Sequence, residues 1–155
     1  MDKTEQSLNN IRRADVRDIG AMLPLFLAYH RFYDVQSEAI DCQRYLADRL
    51  ARNESIIFIA ERSGVMVGFT QLYPTFSSLT MKPVLVLYDL FVDADARGHG
   101  IAEQLMARAE QFARQTGACE IVLQTAHSNV SAQALYEKRG YQRENAFYTY
   151  YKTVN

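Results

Sequence analysis

The run Val84-Leu85-Val86-Leu87-Tyr88-Asp89-Leu90-Phe91-Val92 is almost continuously apolar, and it limits the fold more than any other stretch of the chain. An apolar run of this length without alternation reads as a strand buried on both faces. It leads into Asp93-Ala94-Asp95-Ala96-Arg97-Gly98-His99-Gly100, a turn, and then into helical spacing over 101–116. Ile101, Leu105, Ala109 and Phe112 share one face of that helix, and Gly117 is placed to end it in a left-handed cap. The unit is strand, turn, helix.

Such a turn has a chemistry. A helix start exposes unpaired N–H groups and the positive end of the helix dipole. Gly98 and Gly100 leave the backbone bare for close approach by a phosphate, and Arg97 adds a planar donor fork. Small Ala102 keeps the first helical turn open. A Gly-x-Gly before a helix also serves as a plain tight turn, and on its own the run does not choose between the two. It is not a dinucleotide fingerprint, because Glu103 stands where the third glycine belongs, and it lacks the Gly-Lys-Ser/Thr ending of a nucleotide-binding P-loop.

The rest of the chain supplies the partners of this unit. Residues 1–10 are polar and read as a flexible leader, and 11–155 as one domain. A short strand is expected at 11–14, then a helix capped by Asp15, with Ile19, Met22, Leu23, Phe26, Leu27 and His30 at helical spacing. Pro24 predicts a kink or an early break in it. A second helix is expected over 40–50, and strands at 55–60 and 65–73 flank an Arg62-Ser63-Gly64 turn. Residues 74–82 read as a loop, 119–125 as a second buried strand, 129–139 as a helix, and 141–143 and 147–152 as two last strands. The order is that of an α+β (mixed α/β) fold.

Several function classes are excluded by composition. A formal net charge of −1 gives no general reason to bind nucleic acid or an anionic membrane. No apolar run approaches the ~20 residues of a membrane span, and no signal-peptide pattern opens the chain, so the cytoplasm is the expected address. The two cysteines, Cys42 and Cys119, have no CxxC spacing and read as buried free thiols, so neither a disulfide nor a metal site is expected.

Arg97-x-x-Gly100-x-Ala102 resembles the Arg/Gln-x-x-Gly-x-Gly/Ala signature of the GNAT acetyltransferase superfamily. Two further segments carry the resemblance. Tyr88-Asp89-Leu90-Phe91-Val92 looks like that family's fourth strand, and Asn129-x-x-Ala132-x-x-Leu135-Tyr136-x-x-x-Gly140-Tyr141 like its later Asn…Leu-Tyr-x-x-x-Gly-Phe/Tyr run. The resemblance implies a mostly antiparallel mixed sheet of 6–7 strands with about four helices, its fourth and fifth strands splayed. It implies transfer of an acetyl group from acetyl-CoA to an amine by direct attack. Arg97, Gly98, His99, Gly100, Ile101 and Ala102 would hold the CoA pyrophosphate, Leu90, Phe91 and Val92 would pair with the pantetheine amides, and Asn129 would contact CoA. One N–H near Leu90 or Phe91 would polarise the acyl carbonyl.

Tyr136 matches the tyrosine that protonates the departing thiolate in such enzymes. The base is less determined. Some polyamine-directed relatives have Glu-Asp where this chain has Tyr88-Asp89, which leaves Asp89 as the carboxylate that holds or deprotonates the amine. Tyr29, Tyr33, Asp34 and Tyr88 are the expected acceptor contacts, since aromatics with carboxylates suit a small cationic amine. The side chains of His99 and His127 are read as surface and loop groups, and His30 lies where the family's first two helices line the acceptor site. The aromatic tail 147–152 is a candidate homodimer contact. The rival readings are a non-catalytic CoA-binding sensor or assembly module and an enzyme that acetylates protein lysines or N-termini.

Overall fold

The structure, a computed structural model, describes residues 9–155. They belong to two compact units, the first ending at Leu123 and the second running from Gln124 to Asn155. The first unit contains β1 (Asn10–Arg13), α1 (Ile19–Phe32), α2 (Ala39–Ala51), β2 (Ile56–Arg62), β3 (Val65–Ser77), β4 (Lys82–Val92), α3 (Ile101–Gln115) and β5 (Glu120–Val122). The second contains α4 (Val130–Lys138). The strands form one sheet in the order β1-β2-β3-β4-β5, antiparallel except for the parallel β4–β5 pair. This is the expected α+β fold with four helices among the described residues.

The core follows from pattern. β2 begins Ile56-Ile57-Phe58-Ile59-Ala60, buried throughout, so helices must cover both faces of the sheet at its centre. On one face Ile57, Ile59, Phe69 and Phe91 pack with Met22, Leu25 and Phe26 of α1 and Leu46 of α2. On the other, Phe58 meets Phe112 of α3 at 5.7 Å between ring centres. The β2–β3 turn, Ser63-Gly64, takes positive φ at both residues (51° and 77°), the two-residue geometry whose twist matches a hairpin.

Several expectations need correction. Helix α1 runs unbroken through Pro24, because the carbonyl that loses its in-helix donor belongs to Gly20, which is exposed to water. The expected loop 74–82 is mostly strand. β2 stops opposite Leu72, so Pro74 sits where β3 has become an edge, pairing with Leu85 on its one remaining side. The strand expected at 119–125 is only Glu120–Val122, since it meets β4 only at Val84, Leu85 and Val86. The two last strands do not form: Phe147, Tyr148, Tyr150 and Tyr151 are exposed, no strand is present at 141–152, and the sheet among the described residues has five strands rather than six or seven. Cys42 is buried and free as expected, whereas Cys119 is free but exposed. The expected leader falls largely on residues 1–8, outside the described residues. No helix among the described residues is long and apolar enough to cross a membrane.

The first strand is tied to the rest by one arginine. Arg12 donates from Nη1 and Nη2 to Asp18 at 3.0 and 2.8 Å, and from Nε and Nη2 to Glu61 at 3.2 and 2.8 Å. Asp18 completes a capping box with Asp15 ahead of α1, so a single guanidinium joins β1, the start of α1 and β2. Arg12 holds both carboxyls below their ordinary range, chiefly through these hydrogen bonds. A lowered carboxylate pKa contributes stability that is present above the unfolded value of about 4 and lost as pH falls through the folded one. Arg12→Gln is therefore expected to melt below the parent at pH 7, with the two melting curves converging at pH 2–3.

Candidate active site

β4 changes partners along its length. Val84, Leu85 and Val86 pair with Glu120, Ile121 and Val122 of β5, and beyond Val86 the β5 side of the strand is unpaired. The β3 side continues, but Leu72 pairs with Leu87 and Gln71 with Asp89, which leaves Tyr88 as the extra residue of a β-bulge. The Tyr88 side chain is 68% exposed. The segment from Leu87 to Val92 thus has no neighbouring strand on its β5 side, and Leu90, Phe91 and Val92 lie on that edge. The splay of strands four and five is present.

The turn after β4 is built by local hydrogen bonds. The Asp93 carboxylate accepts the Asp95 N–H at 3.1 Å, and the Ala96 N–H bonds to the Asp93 carbonyl at 2.9 Å. His99 Nδ1 lies 2.9 Å from the Arg97 carbonyl and 3.2 Å from that of Ala96. Both partners only accept, so Nδ1 carries the proton, and the role of His99 here is to hold the turn. Gly98 and Gly100 have φ of 79° and 72°, which side-chain-bearing residues adopt at a cost. A Cβ on Gly98 would meet nothing within 4 Å, and one on Gly100 only the tip of Gln104 at 4.0 Å. The bare backbone therefore faces open space.

The first hydrogen bond of α3 runs from the Gln104 N–H to the Gly100 carbonyl at 3.1 Å, so the N–H groups of Ile101 and Ala102 precede the helix's own ladder. Ile101 is buried and anchors the helix start. A Cβ on Gly68 would lie 3.0 Å from the Phe91 carbonyl and 3.2 Å from Ile101, so glycine there lets α3 approach the sheet closely. An open, glycine-lined helix start beside an unpaired strand edge fits a pyrophosphate followed by an amide-bearing arm. The Arg97 side chain does not reach outward as a free fork. Its Nε donates to the Val92 carbonyl at 3.0 Å, and its guanidinium lies 5.6 and 5.7 Å from the ring centres of Phe32 and Phe91.

On the α1 face of the sheet lies a carboxylate with little access to water. Asp89 is 6% exposed. Tyr29 donates its hydroxyl to Oδ1 at 2.6 Å, and Gln71 donates Nε2 to Oδ2 at 2.7 Å. Thr70 donates to the Asp89 carbonyl at 2.8 Å. Burial pushes the Asp89 carboxyl above the usual carboxylate range, against the pull of the two donors and of His30. The Tyr29 hydroxyl is pushed well above the ordinary tyrosine range, first by burial and then by its bond to Asp89.

Aromatic rings surround this group. Tyr29 packs edge-on against Tyr33, Phe69 and Phe91 at 5.2, 5.7 and 6.0 Å. Tyr88 meets Tyr73 at 5.4 Å, and the Tyr73 hydroxyl bonds to that of Tyr45 at 2.7 Å. Of the expected acceptor contacts, Tyr29 bonds to Asp89 and Tyr33 packs on Tyr29, while Tyr88, next to Asp89 in β4, packs on Tyr73. Asp34 lies past the end of α1 at φ 56°, and its carboxylate makes no hydrogen bond or ion pair among the described residues.

In the second unit, Asn129 is the N-cap of α4, accepting the Ala132 N–H at 3.2 Å. Tyr136 is on α4, its ring 6.1 Å from that of Tyr141. Sequence reasoning missed Gln71, Tyr73 and Tyr45. The first two had a signal: Phe69, Gln71 and Tyr73 alternate along β3, which puts a fully buried glutamine on the face that Asp89 shares.

Comparison with known proteins agrees with this geometry. A model of the acetyltransferase (GNAT) family matches residues 21–141. The chain is 45% identical over 141 residues to an uncharacterized N-acetyltransferase, YhfO, of Bacillus subtilis, covering 91% of this chain and 95% of that one. It is 31% identical over 120 residues to a probable acetyltransferase of Haemophilus influenzae, covering 77% and 82%. A solved structure of a probable acetyltransferase superposes with a TM-score of 0.90 at 34% identity, covering 94% of this chain and 98% of that one. With a GNAT match across most of its length, and the splayed strand and glycine turn in place, the chain belongs to the GNAT family of N-acetyltransferases, enzymes that draw their acetyl group from acetyl-CoA.

Proposed function

We propose that the acceptor is a small cationic amine and that Asp89 is the carboxylate that receives its proton. The observation that carries this reading is the buried Asp89, which accepts from Tyr29, a ring packed in turn against Tyr33 and Phe91, and which is paired with no cation among the described residues. Aromatic faces attract an ammonium, and a desolvated carboxylate both holds a cation and binds a proton more readily than one in water.

On the donor side we assign the backbone of Gly98, His99, Gly100, Ile101 and Ala102 to the pyrophosphate. The strand edge at Leu90, Phe91 and Val92 is assigned to the pantetheine amides, apart from the Val92 carbonyl, which Arg97 takes. Acetyl-CoA supplies the activated acyl group. The bulge at Tyr88 supports a role for a nearby N–H in polarising the acyl oxygen, since a bulge releases backbone groups from the ladder. Arg97 acts in this reading by holding the turn against Val92 rather than as a phosphate fork. CoA contact by Asn129 and thiolate protonation by Tyr136 rest on the family resemblance of the run 129–141, and Asp34 is an outer acceptor contact on its charge alone. The family match spans the boundary at Leu123, which supports a single functional domain. The two free cysteines suit the cytoplasm, and the exposed Phe147, Tyr148, Tyr150 and Tyr151 support the homodimer reading of the tail.

The deciding measurement is CoA release from acetyl-CoA with spermidine, lysine, kanamycin and a peptide with a free N-terminus. Turnover with one of the small amines and little with the peptide is the expected result, and peptide preference would remove the small-amine reading. Tyr136→Phe is expected to lower kcat by roughly tenfold or more while leaving the KM for acetyl-CoA within about twofold. An unchanged kcat would take Tyr136 out of the reaction.

A further inference from the structure

We infer that Tyr29 is a catalytic proton relay: its hydroxyl takes the proton from the acceptor amine while passing its own to Asp89. This deepens the amine reading above and rests on it. The geometry leaves Asp89 poorly placed to meet a substrate itself. Its side chain is buried in the sheet, Oδ2 is taken by fully buried Gln71, and Oδ1 is taken by Tyr29 at 2.6 Å. Tyr29 is half-buried, and its hydroxyl, having spent its proton on Asp89, keeps oxygen lone pairs that accept. Tyr33 packs against it and is 55% exposed, so the cluster continues from Tyr29 to the surface at the end of α1.

The other titratable groups around Asp89 have different engagements. His30 of α1 shares a hydrogen bond at Nδ1 with Ser37 at 2.6 Å, and Tyr73 of β3 is bonded to Tyr45 of α2 at 2.7 Å. Tyr88 of β4 packs its ring on Tyr73, and none of these four hydrogen-bonds to the Asp89 carboxylate. A carboxylate bonded at 2.6 Å to a single hydroxyl, with its second oxygen blocked, has one outward route for a proton.

The amine enters the step as its free base, its ammonium proton already lost to water. Its nitrogen forms the C–N bond to the acetyl carbon, and the C–S bond breaks with its electron pair passing to sulfur. One proton leaves nitrogen for the Tyr29 oxygen as the Tyr29 hydroxyl proton moves to Asp89 Oδ1. Tyr29 ends neutral, Asp89 ends as the acid, and the thiolate is protonated by the separate acid assigned above. Asp89 returns its proton to water through Tyr29 in the reverse sense.

The test uses the full chain, acetyl-CoA and whichever amine of the panel turns over fastest. Tyr29→Phe is expected to lower kcat by about 10²-fold or more, matching Asp89→Asn, with the KM for acetyl-CoA within about twofold. The double variant is expected to be no slower than the slower single, because both remove one proton path. A kcat for Tyr29→Phe within about threefold of the parent, with Asp89→Asn slow, overturns the relay and leaves Asp89 as a direct base. Losses that multiply in the double variant overturn it too. Difluorotyrosine at position 29 keeps the hydroxyl and lowers its pKa, so a moved limb in the pH profile of kcat supports the relay and an unmoved one overturns it, even if the phenylalanine variant folds poorly. A parent that acetylates no amine overturns the amine reading and the relay together.

Discussion

Asp89→Asn is expected to lower kcat by about 10²- to 10⁴-fold, the range of a lost general base, and at the same time to melt at a higher temperature than the parent at pH 8. The two effects have one cause. Asp89 is a buried carboxyl with two neutral donors and no ion pair among the described residues, and burial raises its pKa in the folded protein. A raised pKa means that the folded state binds the proton more tightly than the unfolded chain does. The stability it contributes is complete below the unfolded value of about 4 and is lost as pH rises through the folded value. Asparagine has no charge to desolvate, so its advantage should be absent in acid and grow toward pH 8. The site can accept the change, since Oδ1 still receives the Tyr29 hydroxyl. Gln71, whose Oε1 has no hydrogen-bond partner, can turn its amide so that this oxygen accepts from the new NH₂. Thermal melts of both proteins from pH 4 to 8, with kcat at each pH, check the pair of claims. A stability gap that does not change with pH would mean that Asp89 is not the strained group described here.

Gly100→Val is expected to raise the KM for acetyl-CoA by about tenfold to a hundredfold while changing kcat at saturation little. Gly100 is the N-cap of α3 at φ 72°, where a residue with a Cβ is strained by about 1–3 kcal/mol, and a β-branched one is a clear outlier. The side chain has room, since only Gln104 is within 4 Å, so the loss arises from the backbone and from covering the bare turn, not from a clash in the core. Gly98→Val shares the strain and the open surroundings and serves as a companion. Titration of CoA into each variant, alongside thermal melts, separates a damaged cradle from a damaged fold. CoA affinity equal to the parent's would remove this turn from the donor site.

The strand, turn and helix of the proposed donor side were legible in sequence because they are local. Strand, turn and helix follow one another from Val84 to Gln115, and both glycines fall where the backbone turns left-handed. The acceptor side was only partly legible, because it is assembled from residues far apart in the chain. Asp89 and Tyr29 are sixty residues apart, and Gln71 is eighteen from Asp89. An acidic residue in an apolar strand signalled that a partner was needed but not which one. Arg97 carried the opposite lesson: its residue type suits phosphate, while its geometry spends Nε on a carbonyl in the preceding strand. The bulge at Tyr88 has no compositional mark, since it is a mismatch of register between β3 and β4. The strands expected at 141–143 and 147–152 rested on residue type alone, and strand propensity does not make a strand without pairing.

The split partnership of β4 also bears on how such a protein diverges. Its open half and the turn beyond it would recognise a donor through backbone groups, which most substitutions leave unchanged provided the two glycines remain. The acceptor side is written in side chains: Tyr29, Tyr33, Tyr73 and Tyr88 each present a ring that single mutations can trim, enlarge or recharge. On the proposed reading, one half of the reaction is sheltered from drift and the other is open to it, so new acceptors can be acquired without relearning the donor.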